Sequence, residues 1–511
     1  MIELEKIPHI HEISNHGPYH GAREKNTATF QARSTRQNKL VPSLEEAIRR
    51  TGLKDGMTIS FHHHFRNGDH IINTVVDKLA EMGYKNLTLA ASSLAAVHAP
   101  LIRHIQNGVI THIETSGMRG ELAEQVSRGL IDCPVVFRSH GGRASAIRSG
   151  DLHLDVAFPG APPCDPYGDA SGYSRDDEDG IACGSLGYSF VDAHNAGCVV
   201  VVTDNLVDYP CCPVSISQQY VDYVVKVDSI GDPAKIGAGA ARLTKNPRDL
   251  MIAQRTVDVM SASRRFKDGF SFQTGAGAIS IATTKYLAER MKERGVKASF
   301  ALGGIPAAII DMYDEGLVRV VACSQSFDAV AAQAISSRPG VIEIDNADYA
   351  NAYSKGGYLN REDFGLLGAL EVDTDFNVNI LTGSSGEMRG GLGGGPDVAG
   401  GAQVSIVTIP VIRGRTPSIV KKVFTTCTPG ETVAVVVTEA GIALNPKHKN
   451  YQELKEDLEA AGLKLVTIEE LQQLAESMTG VPKPIETGDK VVCMVEYRDG
   501  SVVDVIRQIK K

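Results

Sequence analysis

The chain has 511 residues, of which 42% are hydrophobic and 22% charged, a composition typical of globular proteins. Its length exceeds what one hydrophobic core usually supports, so two or three domains are expected. The net charge of −9 argues against nonspecific nucleic-acid binding, and no apolar run reaches the roughly 18 residues that span a bilayer. Nine cysteines without a CxxC pair argue against a disulfide framework or a zinc site. These features predict a cytoplasmic protein.

The chain divides into an N-terminal arm and two α/β domains. Residues 1–40 are rich in His, Asn, Gly and Arg and lack periodicity, so we expect an arm that lies on another surface, such as a neighbouring subunit. The first predicted domain covers 41–235 and the second covers 236–511. The second includes a C-terminal hairpin, because alternating apolar residues flank the turn dipeptide Asp499-Gly500.

The two predicted domains resemble each other, which indicates an internal duplication. Three matches occur in the same order: KDGMTI at 54–59 with KDGFSF at 267–272, Leu-Ala-Glu at 79–81 and 287–289, and NGVITHIE at 107–114 with EGLVRVVA at 315–322. Short β-branched runs alternate with amphipathic stretches, which predicts mainly parallel sheets covered by helices. Ligands bind beyond the carboxyl ends of parallel strands, so we expect a cleft where the two copies face each other.

The stretch FHHHFRNGDH at 61–70 follows the first strand of the first copy. On an extended chain His62 and His64 share one face and His63 the other, so at most two imidazoles converge on a metal. The arginine and the glycine amides that follow would concentrate positive potential at the start of the next helix. We favour anion binding here, with a local metal site and purely structural histidines as alternatives. The predicted substrate-binding residues are His62, His64, Arg66, Asn67 and Gly68.

A second cationic cluster occurs in RSHGGRAS at 138–145. Arg138 and Arg143 lie on either side of His140 and two glycines, a grouping that suits a polycarboxylate or a phosphate. A solvated surface loop is the alternative. The serines lack a G-x-S-x-G elbow, which argues against a triad hydrolase.

Two glycine-containing segments lie in the second copy. In FQTGAGAIS at 272–280, Gly275 and Gly277 let backbone amides approach a ligand, but no third glycine or lysine follows, which argues against NAD and ATP. A tight turn is the alternative. Residues 368–402 contain a glycine-dense run interrupted by Glu387 and Arg389. We interpret it as a shaped loop that presents N–H groups to an oxyanion, with a plain linker as the alternative.

Together these motifs resemble the coenzyme A transferase superfamily. FQTGAGAIS resembles its Gly-x-Gly loop, and LEVDTDFNVN followed by GGLGGGPD resembles its acyl-CoA segment. With FHHHFRNGDH included, the similarity is greatest to the family of citrate lyase alpha subunits. The resemblance implies two tandem α/β domains with mainly parallel sheets and a site at their interface.

The resemblance also implies an activity: citrate displaces acetate from the acetyl thioester of an acyl carrier protein, with acetyl-CoA as a surrogate. The implied thioester is CoA or the carrier's dephospho-CoA-derived group, with no covalently bound cofactor and no metal. Implied partners are citrate lyase beta and gamma subunits, and we expect a homo-oligomer.

Site roles follow from the same resemblance. The implied catalytic residues are Gly391, Gly393, Gly394 and Gly395, and those at the thioester are Gly275, Gly277, Glu371, Asn379 and Asp397. The nucleophilic glutamate of covalent superfamily members falls at Gly303 here, so the resemblance implies that citrate itself attacks and forms a mixed anhydride. The alternatives are a covalent transferase or thioester hydrolase using Glu371 or Glu387, and a non-enzymatic ligand-sensing or scaffold protein.

Overall fold

The structure, a computed structural model, describes residues 38–173, 182–237, 243–275 and 277–510. Almost all of the predicted arm lies outside these ranges. Within them, no helix combines the length and the apolar character needed to cross a membrane.

Strands and helices alternate along most of the chain. The strands of the first half are β1 (Leu40–Val41), β2 (Thr58–Phe61), β3 (Leu87–Ala91), β4 (Ile110–Thr115), β5 (Val135–Phe137), β6 (Val156–Ala157), β7 (Pro163–Cys164), β8 (Cys198–Thr203), β9 (Asn205–Leu206) and β10 (Tyr223–Lys226). The strands of the second half are β11 (Ser271–Gln273), β12 (Ala298–Ile305), β13 (Val318–Ser326), β14 (Val341–Glu343), β15 (Phe364–Gly368), β16 (Glu371–Asp373), β17 (Val378–Asn379), β18 (Val404–Thr408), β19 (Ile412–Arg413), β20 (Thr416–Pro417), β21 (Ile419–Val420), β22 (Val435–Val437), β23 (Ile442–Leu444), β24 (Leu465–Val466), β25 (Thr487–Glu496) and β26 (Val502–Ile509).

The helices pack on the sheets. They are α1 (Leu44–Thr51), α2 (Ile71–Glu81), α3 (Leu101–Gln106), α4 (Glu121–Ser127), α5 (His140–Ser149), α6 (Gly187–Asn195), α7 (Pro247–Ala262), α8 (Ala278–Arg294), α9 (Ala307–Asp314), α10 (Ala329–Ser337), α11 (Asn346–Ala350), α12 (Gly395–Gly401), α13 (Tyr451–Ala460) and α14 (Ile468–Thr479). In α2, Ile72, Val75, Val76 and Leu79 are fully buried because three- and four-residue spacing places them on one face. Each contributes about 1.5–3 kcal/mol on burial.

Two large sheets carry the fold. The first has ten strands in the order β1-β10-β8-β6-β2-β3-β4-β5-β25-β26 and is parallel except at β25-β26. The second has nine strands in the order β14-β13-β12-β11-β15-β18-β22-β23-β24 and is parallel except at β22-β23. The expected α/β class with mainly parallel sheets is therefore confirmed.

The two sheets share a topology. The series β2-β3-β4-β5 in the first sheet matches β11-β12-β13-β14 in the second, and each series begins at a strand of the matching sequence motif. On the other side β2 pairs with β6, as β11 pairs with β15. Both β2 and β11 thus lie inside their sheets, and their carboxyl ends open onto the FHHHFRNGDH and FQTGAGAIS loops.

The C-terminal hairpin belongs to the first sheet, not to the second domain in which the sequence placed it. β25 pairs in parallel with β5, with Cys493 opposite Val135, and β26 pairs with β25 in antiparallel fashion. The local turn signal at Gly500 predicts a hairpin but not which sheet edge it joins, because that choice depends on tertiary packing. The boundary near residue 235 stays a prediction.

Candidate active site

A cavity of about 610 Å³ lies between the two sheets, at the carboxyl ends of their inner strands. The first half contributes residues at the carboxyl ends of β2, β3 and β4, together with the start of α5. The second half contributes residues at the carboxyl ends of β11, β13 and β15, together with the glycine-dense segment. Its cationic side chains and imidazoles are Arg66, Arg119, Arg389, Arg413, His63 and His140. In the described part of the chain, no aspartate or glutamate lines it.

Arg66 brings an uncompensated charge to this cavity. Its backbone is left-handed, with φ 54°, and its guanidinium carbon lies 5.1 Å from the centre of the Phe327 ring. Its Nη1 is buried and has no hydrogen-bond partner among described residues. Burial, with Arg119 nearby, lowers the pKa of Arg66, and burial also lowers the pKa of Arg119. Two guanidinium groups that share a partly buried space in this way provide a site for an anion.

The imidazoles of the cavity are neutral hydrogen-bonding groups. His63 Nδ1 lies 2.6 Å from Ser92 Oγ, and the His63 ring lies near those of His140 and Tyr188, with centroids 5.9 Å and 5.2 Å away. Burial, His140 and Arg66 together lower the pKa of His63 well below its usual value. Burial, Arg143 and Arg119 lower the pKa of His140 to about 3. Both rings therefore accept or donate at neutral pH without adding charge.

The glycine-dense segment is held firmly against the first half. Met118 N–H donates to Gly390 O at 2.9 Å, and His140 N–H donates to Gly393 O at 2.9 Å. Leu381, Met388 and Leu392 of the same segment are buried in the hydrophobic core of the first half. Gly391, Gly393, Gly394 and Gly395 all line the cavity. The segment is therefore a shaped wall of the cavity and not a linker.

The start of α8 forms the opposite wall. Gly275 and Gly277 both line the cavity, and no side chain caps the helix at Gly277. The free N–H groups of a helix N-terminus favour negative charge. A second hollow of about 380 Å³ continues from this point between Arg248 and Arg413.

Four predicted substrate-binding residues lie behind the cavity wall. The His62 and His64 rings are tilted by 36° with centroids 3.9 Å apart, and His64 Nε2 lies 3.1 Å from Ser189 Oγ. Arg138 is paired with Glu496 at 2.7 Å and also with Glu114. Arg143 donates to both carboxylate oxygens of Asp192, at 2.7 and 2.8 Å. None of these four is among the lining residues, so their expected contacts with substrate are not seen.

The remaining residues of the first loop face elsewhere. Asn67 is exposed, and Gly68 packs so closely on the 3₁₀ turn Pro233–Lys235 and the residue before it that a Cβ would lie 2.3 Å from Asp232 O. Of the five residues predicted in this loop, the structure places only Arg66 at the cavity. The three histidines follow the end of β2, and the His62 and His64 rings lie together on one side while His63 faces the cavity.

Three predicted thioester residues stabilise loops instead of lining the cavity. Glu371 accepts from Asn379 Nδ2 at 2.8 Å, and Asn379 Oδ1 accepts from the backbone N–H groups of Leu381 and Thr382. Asp397 accepts from Ser139 Oγ at 2.8 Å and from Gly141 N–H at 2.9 Å. Burial raises the pKa of Asp397 to about 6.

Several charged, aromatic and amide side chains at the cavity are not among the predicted site residues, although four of them belong to the quoted motifs: His63, Arg119, His140, Tyr188, Gln273, Gln325, Tyr349, Arg389 and Arg413. The sequence carries a signal for Arg119 and Gln325, because Arg119 lies in the loop after β4 and Gln325 is next to the last residue of β13, both at carboxyl ends of strands in the duplicated unit. Tyr188 and Tyr349 come from helices without such a signal.

The matches to known proteins extend over nearly the whole chain. The family model for the citrate lyase alpha subunit matches residues 37–509. The citrate lyase alpha chain of Klebsiella pneumoniae is 52% identical over 493 residues, 96% of each chain. That of Escherichia coli (strain K12) is 52% identical over 483 residues, 94% of this chain and 93% of its own.

Solved structures show the same similarity. The alpha subunit of citrate lyase from Streptococcus mutans, in complex with citrate, has a TM-score of 0.91 and 47% identity, and covers 98% of this chain and 96% of its own. The malonate decarboxylase alpha subunit of Acinetobacter baumannii, with a TM-score of 0.61 and 17% identity over 83% of this chain and 85% of its own, shares the fold.

Proposed function

The chain belongs to the citrate lyase alpha subunit family, and from this premise we propose how its cavity performs the reaction. The activity is citrate:acetyl-acyl-carrier-protein transfer, in which citrate and the acetyl thioester become the citryl thioester and acetate. The observation that carries the proposed mechanism is the combination of cationic and imidazole side chains in a cavity with no carboxylate among its described lining residues. Such a cavity can bind an anionic acid, and its described residues offer no carboxylate nucleophile.

The first step uses the bound acid as the nucleophile. One citrate carboxylate oxygen attacks the acetyl carbonyl carbon, the carbon–sulfur bond breaks, and a mixed citric-acetic anhydride and a thiolate result. The thiolate then attacks the citryl carbonyl carbon of the anhydride, and acetate leaves. No general base is needed, because citrate is ionised at neutral pH.

Each attack builds an oxyanion that the enzyme must stabilise. The N–H groups around Gly391 and Gly394, on the wall held by His140 and Met118, are suited to this role. One such donor is worth roughly 3–4 kcal/mol in the transition state. Holding both reactants in near-attack geometry contributes up to about 7–11 kcal/mol more.

Citrate binding is assigned to Arg66, Arg119, His63 and His140. Arg66 has a buried nitrogen without a partner among the described residues, and the two imidazoles are neutral and can donate to carboxylate oxygens. The thioester arm enters along the start of α8, where Gly275 and Gly277 leave room for the acyl group. The hollow between Arg248 and Arg413 suits the phosphates of that arm.

The covalent alternative finds no support among the described residues. Glu371 accepts a hydrogen bond from Asn379 Nδ2, and Glu387 accepts one from Arg128 Nη2 at 2.7 Å. Gly303, where the resemblance places the nucleophile of covalent relatives, has φ 97°, which favours glycine. A non-enzymatic sensor would bind the same anion but would not turn it over.

The proposal extends to the carrier of the thioester, the partner subunits and the oligomeric state. The thioester is carried by an acyl carrier protein, with acetyl-CoA as a surrogate, and the chain carries no covalent cofactor. The partners are the beta and gamma subunits of the lyase, in a cytoplasmic complex, and the chain forms a homo-oligomer. Copurification from a cell extract, followed by size-exclusion chromatography with light scattering, tests these points.

The test of function is a turnover assay on the purified full-length chain. With citrate and acetyl-CoA, we expect citryl-CoA and acetate to appear in equal amounts, detected by liquid chromatography and mass spectrometry. Acetate without citryl-CoA would identify a hydrolase, and binding of citrate without any product would identify a sensor. Gly356→Ala is the control variant and should be as active as the wild type, because a Cβ at this exposed residue meets nothing within 4 Å.

A further inference from the structure

Gln273 and Tyr349 form a buried pair on the cavity wall. Gln273 ends β11, Tyr349 lies in α11, and the Tyr349 hydroxyl donates to Gln273 Oε1 at 3.0 Å. Both side chains line the cavity, although each residue is less than one-tenth exposed. Burial raises the pKa of Tyr349 well above its usual value, so the hydroxyl keeps its proton and remains a donor.

This hydrogen bond fixes which end of the carboxamide faces the cavity. Because Oε1 accepts from the hydroxyl, the two N–H groups on Nε2 must point elsewhere. Nε2 donates to no described residue, and it is not among the buried polar atoms that lack a partner. An accessible N–H pair on a side chain that lines the cavity is a donor left for a ligand.

The surroundings leave the carboxamide little freedom. A Cβ on Gly303 would lie 2.9 Å from Gln273 Oε1 and 3.6 Å from Tyr349 Cε2, so no side chain fits between this pair and β12. On the other side, a Cβ on Gly394 would lie 2.5 Å from the Tyr349 hydroxyl oxygen. Tyr349 therefore touches both Gln273 and the glycine-dense wall, and brings a side-chain donor next to the backbone donors.

We propose that Gln273 Nε2 donates a hydrogen bond to the carbonyl oxygen of the reacting acyl group, and that Tyr349 is the positioning residue that holds Gln273 in this orientation. The inference rests on the proposed function and adds a side-chain donor to its backbone oxyanion site. The charge that develops on the carbonyl oxygen during each attack strengthens the hydrogen bond, so the pair acts mainly on turnover.

Two replacements of Gln273 test whether the hydrogen-bond donor Nε2, and not only the shape of the side chain, supports catalysis. Gln273→Glu keeps the length of the side chain and an acceptor for Tyr349 but has no N–H group, and Gln273→Met is neutral and also lacks the donor. In the full-length chain with citrate and acetyl-CoA, we expect kcat to fall by about 100-fold or more in both, since an oxyanion donor is worth 10²–10³ in kcat. In Gln273→Met the KM for citrate should stay within threefold of the wild-type value, whereas the carboxylate of Gln273→Glu also repels citrate and raises it.

Tyr349→Phe tests the positioning role. With the hydroxyl removed, the carboxamide can rotate, and we expect kcat to fall by about 5- to 30-fold with KM again little changed. In the Gln273→Met background, Tyr349→Phe should cause no further fall, because there is no donor left to orient. A merely structural tyrosine would reduce both backgrounds equally, which would overturn the positioning role.

The outcomes distinguish this inference from the function on which it rests. A wild-type chain that makes no citryl-CoA contradicts both. An active wild type, with Gln273→Met and Gln273→Glu both within threefold of its kcat, contradicts only the inference. Circular dichroism melting identifies a variant that fails to fold, and in that case the remaining Gln273 variant decides.

Discussion

Gly117 and Gly391 form an isolated antiparallel bridge across the interface of the two halves, and a Cβ on Gly391 would lie 2.5 Å from Gly117 Cα. The same Cβ would lie 2.5 Å from Ser116 O. Both atoms belong to the backbone, so neither can rotate away. The contact sets the distance between the cationic side of the cavity and its glycine-dense wall.

Gly391→Ala should therefore reduce turnover, at a cost of about 1–3 kcal/mol in stability for the overpacked contact. The methyl group pushes the two walls apart, and a misplacement of about 1 Å can cost 10²-fold in rate. We expect kcat with citrate and acetyl-CoA to fall by about 100-fold, measured beside Gly356→Ala, which adds the same methyl group in open space. Equal activity of the two variants would show that the bridge does not set the geometry.

Replacing Arg66 should weaken citrate binding, whereas replacing Arg143 should lower the stability of the fold. Arg66→Ala removes a charged donor from the cavity, and a hydrogen bond to a charged group is worth about 1.5–3 kcal/mol. We expect the KM for citrate to rise roughly 10- to 100-fold while the free energy of unfolding stays almost constant. Initial rates over a citrate series measure the effect.

Arg143→Ala is the matched contrast, because its guanidinium is buried against Asp192 and not aimed into the cavity. Loss of one partner leaves a buried carboxylate uncompensated, at a cost of about 3–5 kcal/mol. We expect a large drop in the free energy of unfolding in urea. A folded Arg143→Ala protein whose only defect is a raised citrate KM would contradict the assignment.

No acyl group should become attached to the protein. In the described part of the chain no carboxylate lines the cavity, so incubation with acetyl-CoA alone cannot produce an acyl-glutamate there. After hydroxylamine or borohydride treatment, peptide mass spectrometry should show every glutamate unmodified, including Glu371 and Glu387. A modified glutamate peptide would support the covalent mechanism.

His64 should make the fold sensitive to acid. Burial lowers its pKa from 6.5 to about 3, so on acidification the unfolded chain takes up the proton first. The contribution of His64 to the free energy of unfolding is therefore complete above pH 6.5 and is lost as the pH falls toward 3. At pH 5 we expect a loss of about 2 kcal/mol.

Urea unfolding between pH 7.5 and pH 4 measures this contribution. His64→Gln keeps a partner for Ser189 but cannot take up a proton, so its stability should fall less steeply over this window. His112→Gln, at an exposed residue, is the control and should follow the wild-type curve. Parallel curves for wild type and His64→Gln would contradict the assignment.

The sequence predicted the sheets better than the direction of individual side chains. Repeated motifs placed β2 and β11 correctly because a parallel strand and its loop are local features. Alternation along the histidine run is a local prediction, but local sequence cannot say which face meets the other half. The sequence therefore favours His62 and His64, whereas His63 lines the cavity.

The positions of the two predicted arginines also depend on contacts that are distant in the sequence. Arg138 directly follows β5 and Arg143 lies in the first turns of α5, and the junction between a strand and a helix is a place where anions often bind. Their carboxylate partners, Glu496 and Asp192, are far away in the sequence, so the pairing becomes visible only in the folded chain. The cavity arginines differ from these two in having no such partner among the described residues.

The edge position of the C-terminal hairpin has a consequence for biosynthesis. Arg138 and its partner Glu496 are 358 residues apart, and β25 must reach β5 before that edge of the first sheet is covered. A ribosome releases the hairpin only after it has made the entire second half. Until then the nascent chain presents an open parallel edge beside an arginine that has Glu114 but still lacks Glu496, and chaperones have their longest opportunity to bind it there.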